Sequence, residues 1–142
     1  MARTLQELSR VVKKDGRVVF VVGHESRVLG VPFYNADMLE QLAIHSGLFG
    51  VVIRQQRVFC SRFGKQIRED ILNLQRIPSI TFDVSSLTLG RTVARVALES
   101  AIIDVPEKNS MLLQNAIDRI DLTEGTPLFD GSNYSRYQIQ NV

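Results

Sequence analysis

Arg54, Arg57, Arg62, Lys65 and Arg68 place five cations and no acid within fifteen residues, interleaved with Phe59 and Phe63. Two kinds of chemistry suit that pattern. Single-stranded nucleic acid needs cations for its phosphates and flat side chains for its bases, and arginine beside phenylalanine supplies both. Alternatively, the planar, multi-donor guanidinium groups meet carboxylates of a neighbouring subunit. The acidic stretch over residues 99–130 of a second copy would serve, and this protein-to-protein reading leads. Phe59 and Phe63 share strand parity, which points them toward a core and leaves the cations to act without a stacking platform.

The other reactive groups form no local catalytic set. His24, Glu25 and Ser26 are adjacent, but neighbours in a turn point in different directions, so a solvated hairpin turn is expected rather than a relay. His45 falls at the end of an expected helix, where an imidazolium favours the negative pole of the macrodipole. Cys60 is the lone cysteine and reads as a buried, inert thiol within a strand. Gly64-Lys65 lacks the upstream glycine and the following Ser/Thr of a phosphate loop. Glu69, Asp70, Asp118 and Asp121 fall on polar faces of expected helices, solvated or bridged to arginines. Two histidines and one cysteine are too few for a usual structural zinc site. No catalytic, cofactor-binding or metal-binding residue is therefore assigned, and the chain is expected not to be an enzyme. An enzyme built from residues of distant loops would leave no local motif, and its sign would be a concave pocket around a perturbed titrating group.

Charge is segregated along the chain. Residues 1–98 hold 14 Lys/Arg against 8 Asp/Glu, and residues 99–142 hold 3 against 7, so a net charge of +2 conceals a basic part and an acidic one. Such polarity favours head-to-tail assembly of copies or contact with a similarly polar neighbour. The 142 residues, 44% of them hydrophobic, suffice for one domain with a single core. No apolar run approaches the length of a membrane span, and the first residues lack the apolar stretch of a secretory signal. A cytoplasmic protein without disulfides is expected.

These groups must be positioned by a mixture of helices and strands. Residues 4–14 predict an amphipathic helix, with Leu5, Leu8, Val11 and Val12 on one face and Thr4 and Glu7 at capping-box spacing. Residues 17–22 and 27–34 are β-rich and predict a strand pair across the turn at 23–26. Asn35 caps a helix through Ser46, with Met38, Leu39 and Leu42 inward and Gly47 as its stop. Residues 48–63 predict one or two strands broken at Gln55-Gln56. Gly64 then opens a helix in which Ile67, Ile71 and Leu74 repeat at i, i+4, i+7 until Pro78. Ile80, Phe82 and Val84 alternate as a strand. Residues 87–103 fit a helix or a strand, and three alanines with Arg95 and Glu99 at i, i+4 favour the helix. Leu113, Ala116, Ile117 and Ile120 mark a last helix.

The sum is an α+β fold: a single compact domain over residues 1–125 with a short N-terminal helix, a small mostly antiparallel sheet and two or three packed helices. Residues 126–142 are expected to be an extended C-terminal arm, polar and carrying Tyr134, Arg136 and Tyr137, that docks on a neighbour or folds back on its own domain.

Residues 79–124, a polar and β-branched stretch joined to a short helix, give the chain a layout that resembles small structural subunits of bacteriophage tails, necks and baseplates, the contractile kind especially. The resemblance implies a non-enzymatic ring or connector subunit, without cofactor, that binds itself and neighbouring tail proteins. It implies the host cytoplasm during assembly and the virion afterwards. The alternative is a small nucleic-acid-binding regulator built on the same five cations.

Overall fold

β-branched and leucine-rich runs of the first half pair into an antiparallel sheet, and the leucine and alanine spacings elsewhere wind into helices. A computed structural model describes residues 1–78 and 85–125. The described residues form one α+β domain in the order α1 (Ala2–Val11), β1 (Arg17–Gly23), β2 (Glu25–Val28), β3 (Val31–Tyr34), α2 (Asn35–Ser46), β4 (Phe49–Cys60), β5 (Gln66–Arg76), α3 (Ser86–Ala101) and α4 (Glu107–Asp118). A single 3₁₀ turn, Ile120–Leu122, follows. The strand expected at Ile80, Phe82 and Val84 and the expected arm at 126–142, with Tyr134, Arg136 and Tyr137, lie outside the described residues.

Pairing departs from the expected hairpin. β1 does not pair with the run that follows it. It pairs antiparallel with β5, from Arg17↔Gln75 to Gly23↔Glu69. Residues 27–34 instead contain their own turn, at Leu29 and Gly30, and fold into the separate β2–β3 hairpin. Both turn residues have positive φ, 55° and 88°, as the tightest hairpin turns require.

The three-stranded sheet runs β1-β5-β4, so β5 is its centre. The expected helix over this segment is thus replaced by a strand. Ile67, Ile71 and Leu74 happen to satisfy a helical spacing, but Asp70, Leu72 and Leu74 alternate as the buried row of a strand. A central strand satisfies its backbone on both edges, and this long-range pairing overrides the local period. β4 continues through Gln55 and Gln56 without a break. Its irregularity is a bulge between Val51 and Ile53.

One face of the sheet carries the core. Val18, Phe20, Val22, Val51, Leu72 and Leu74 pack with Ala2 and Leu5 of α1, Leu39, Leu42 and Ala43 of α2, and Leu89 and Val93 of α3. A second cluster joins Val31 of β3, Ala101 of α3, and Leu113 and Ile117 of α4. Residues 86–101 are helical because a four-residue spacing lines up Leu89, Val93 and Ala101 on the buried side. Ser85 caps this helix by accepting from the Leu87 N–H.

Helix ends follow the sequence in part. α2 stops at Gly47, whose φ of 68° gives the left-handed cap. The Thr4 and Glu7 capping box is not formed, since α1 starts at Ala2 without a side-chain cap and Glu7 pairs with Arg10 instead. Nor is Tyr34-Asn35 a standard cap: Asn35 spends its amide N–H on the Gly23 carbonyl, tying α2 to the end of β1.

Candidate functional site

Beyond Gly23↔Glu69, the last pair of β1 and β5, strands β4 and β5 run on together to Cys60↔Gln66 as a two-stranded ribbon. Its turn is built locally. Ser61 Oγ accepts from the Phe63 and Lys65 N–H groups, and Gly64 takes a φ of 75°. Three of the five expected interaction cations, Arg62, Lys65 and Arg68, lie on this ribbon, Arg57 stands at its base opposite Glu69, and Arg54 lies within the three-stranded sheet opposite Leu72.

The five do not form one uniform patch. Arg54 turns inward to Asp37 and Glu40 of α2, with its other amino group 3.8 Å from Asp70. Its guanidinium is held above its ordinary pKa, chiefly by the hydrogen bond to Asp37, which outweighs the opposing effect of burial. The charges of Asp37, Asp70 and Glu40 add to it. Arg57 donates from Nε to Glu69 at 2.7 Å and lies 5.3 Å from the Phe59 ring centre. Arg62 sits over Phe63, 4.6 Å from the ring centre. Lys65 and Arg68 have no carboxylate partner among the described residues. Phe59 and Phe63, expected in the core, are instead exposed, Phe63 by 79%. The ribbon extends past the helical layer, so strand parity there has no core to face.

His24 is the residue whose setting local reasoning missed. Instead of standing in a solvated turn, its Nδ1 lies 2.9 Å from Asp70 Oδ2, a carboxylate whose residue is only 2% exposed. At that distance an Nδ1–H donates to an ionised Asp70. The Gln56 amide Nε2, itself a donor, lies 3.0 Å from the same nitrogen and competes with Asp70 for it, and the Tyr34 ring lies 5.3 Å from the imidazole. The backbone is fixed as well: the His24 N–H donates to the Arg68 carbonyl, and its carbonyl accepts from Asn35 N–H. Ser26, the third of the adjacent trio, donates to Asn35 Oδ1, and Glu25 accepts from Arg27. These three neighbours thus serve different partners, and no serine relay exists.

Glu69 and Asp70 are indeed bridged to arginines, but from a strand rather than a helix. Asp121 bridges Arg95, taking the cation expected to pair with Glu99, and Asp118 accepts from Gln114. His45 stands in the last turn of α2, its Nδ1–H donating to the Gln41 carbonyl. Cys60 is exposed, contrary to the expected buried thiol, because it ends β4 out on the ribbon.

No described helix covers the opposite face of the sheet. The register places Val19 and Val21 of β1, Ile71 of β5, and Ile53 and Phe59 of β4 on the side away from the helices. Val19, Val21, Ile53 and Phe59 are each 40–55% exposed. Arg17 stands at one end of this face, and the Arg57–Glu69 pair at the other.

Among the described residues no group of three or more His, Cys, Asp or Glu could hold a metal ion, and no helix is long and apolar enough to cross a membrane. No family model, curated protein or solved structure matches the chain.

Proposed function

We propose that the chain is a non-enzymatic assembly subunit that associates with copies of itself, and with neighbouring structural proteins, through the outer face of the β1-β5-β4 sheet. The observation that carries this reading is a set of exposed or half-exposed β-branched and aromatic side chains, Val19, Val21, Ile53, Ile71 and Phe59, interspersed with Gln55, Asn73 and the Arg57–Glu69 pair, on a face that no described helix covers. Water-soluble sheets covered on one side normally alternate apolar-in with polar-out. Here the outer side carries large apolar groups among its polar ones, as the surface of an interface does.

The occupant we favour is a second copy. The face is almost electrically self-balanced, since Arg57 and Glu69 neutralise each other. An antiparallel two-fold stacking brings Arg17 of each copy over the neutralised Arg57–Glu69 pair of the other and keeps the two Arg17 side chains apart. Completing the burial of four half-exposed Val, Ile and Phe side chains per copy is worth about 1 kcal/mol each, or about 8 kcal/mol for the pair. That is comparable with the cost of association, so a concentration-dependent equilibrium follows rather than a permanent dimer. The resemblance to phage tail, neck and baseplate subunits extends the proposal to the class of particle, where neighbouring tail proteins would take the same face.

The experiment is solution mass by light scattering over a range of concentration and salt, on the full chain and on the Val21→Lys, Ile53→Lys double variant. The wild type should gain mass with concentration and hold it as salt rises, because the contact is apolar. The variant should remain monomeric with its helical signal intact. A wild type that is monomeric at all concentrations would refute self-association. Dissociation by salt would transfer the interface from the sheet face to the charged ribbon.

A further inference from the structure

Where β1 gives way to β2, the chain and the start of β5 enclose a concave corner of about 490 Å³, lined by Gly23, His24, Arg27, Lys65, Gln66 and Arg68 together with Glu25 and Ile67. We propose that this corner binds a phosphoryl group, with Lys65 and Arg68 contacting its oxygens and His24 presenting Nε2 to it.

Three features of the corner support that ligand. Its charge is unbalanced: Arg27, Lys65 and Arg68 face only Glu25, which is already bonded to Arg27 at 2.9 Å. Elsewhere, Arg54, Arg57 and Arg95 are each matched with a carboxylate. Cations drawn together with no such match suit an anion from outside the chain.

His24, moreover, is built in rather than hanging from the surface. Its backbone N–H and carbonyl are both hydrogen-bonded, and its Nδ1 is held by buried Asp70. That leaves Nε2 as the ring nitrogen with which to meet a ligand. Such a supporting carboxylate fixes the ring's orientation as it does for metal-bound and catalytic imidazoles. The corner is also formed by two elements locked in register, because His24 N–H to Arg68 O continues the β1–β5 ladder. A rigid, preformed cluster loses little entropy when the anion arrives. The volume exceeds that of a bare phosphate, so the phosphoryl group can be carried by a nucleotide-sized molecule or by a polynucleotide backbone.

The test uses the full chain and follows the imidazole resonances of His24 and His45 by NMR, with affinity from calorimetry, at constant ionic strength against sodium chloride. The probes are inorganic phosphate, a 5′-mononucleotide and a short single-stranded oligonucleotide. Phosphate and mononucleotide should shift His24 saturably while His45, in the last turn of α2, stays unmoved. The Lys65→Ala, Arg68→Ala double variant, truncated at exposed sites, should weaken binding at least about tenfold with an unchanged thermal midpoint. Should that pair disturb the ribbon, Lys65→Gln alone gives the same readout. An unmoved His24, shifts reproduced by chloride, or variant affinity equal to that of the wild type would overturn the proposal. Oligonucleotide binding more than about tenfold tighter than mononucleotide, and steeply weakened by salt, assigns a polynucleotide source. Equal affinities assign a small phosphate ester.

Discussion

Replacing Asp70 tests whether the imidazole–carboxylate contact holds the ribbon to the body of the domain. Asp70 is almost wholly buried and accepts from His24 at 2.9 Å, with Arg54 3.8 Å away. Asp70→Asn keeps the shape and an acceptor for Nδ1–H but exchanges a charge-assisted bond for a neutral one, a loss of about 1 kcal/mol. Asp70→Ala removes the acceptor. Breaking one side of a fully buried pair costs roughly 3–5 kcal/mol. The His24 side chain retains 21% exposure and Arg54 keeps Asp37 and Glu40, so water and those carboxylates reduce the expected loss to about 2–3 kcal/mol. Urea unfolding at one fixed protein concentration measures both variants, since any self-association makes stability concentration-dependent. A double-mutant cycle with His24→Ala should return a coupling of about 1–2 kcal/mol. Strictly additive single mutants, or an Asp70→Ala cost below about 0.5 kcal/mol, would show that the contact does not anchor the ribbon.

Further outcomes follow from single positions. Gly30 has a φ of 88°, and a Cβ added there would lie 3.3 Å from Pro106 Cγ; Gly30→Ala should therefore cost about 1–2 kcal/mol in urea unfolding and loosen the β2–β3 hairpin from α4. The hydrogen bond from Asn109 Nδ2 to the Leu29 carbonyl makes amide exchange in that turn a local readout of the same change. Cys60 is exposed near the ribbon tip, so a thiol reagent should modify the native protein at a rate comparable with the urea-unfolded chain. Protection until global unfolding would contradict the placement of the ribbon in solvent.

What could be recognised beforehand depended on how local the signal was. The helix Asn35–Ser46, with its Gly47 stop, was legible because a periodic stripe and a glycine that tolerates positive φ lie within one short segment. The ambiguity over residues 87–103 resolves in favour of the helix, since Leu89, Val93 and Ala101 share the face that packs on the core. β5 was illegible. Ile67, Ile71 and Leu74 satisfy one period while Asp70, Leu72 and Leu74 satisfy the other, and the deciding partners lie in β1, some fifty residues upstream. The site suffered in the same way. His24 and Asp70 are separated by 46 positions, so examining His24 beside Glu25 and Ser26 compared it with the wrong neighbours. A histidine at a strand end and an acid inside an apolar alternation were the available signals.

By itself the sequence determined the α+β class, the apolar content for a core and the crowding of cations into residues 54–68. Those properties follow from composition and nearest-neighbour spacing, which the chain carries wherever it folds. Tertiary structure decided which cations are already matched and which are not, because carboxylates of α2 and β5 come within reach of Arg54 and Arg57 only once the sheet is paired. It also decided that one face of the sheet is covered by helices and that no described helix covers the other. Alternation shows only that a strand has two faces, and the packing of helices chooses which of them water still touches.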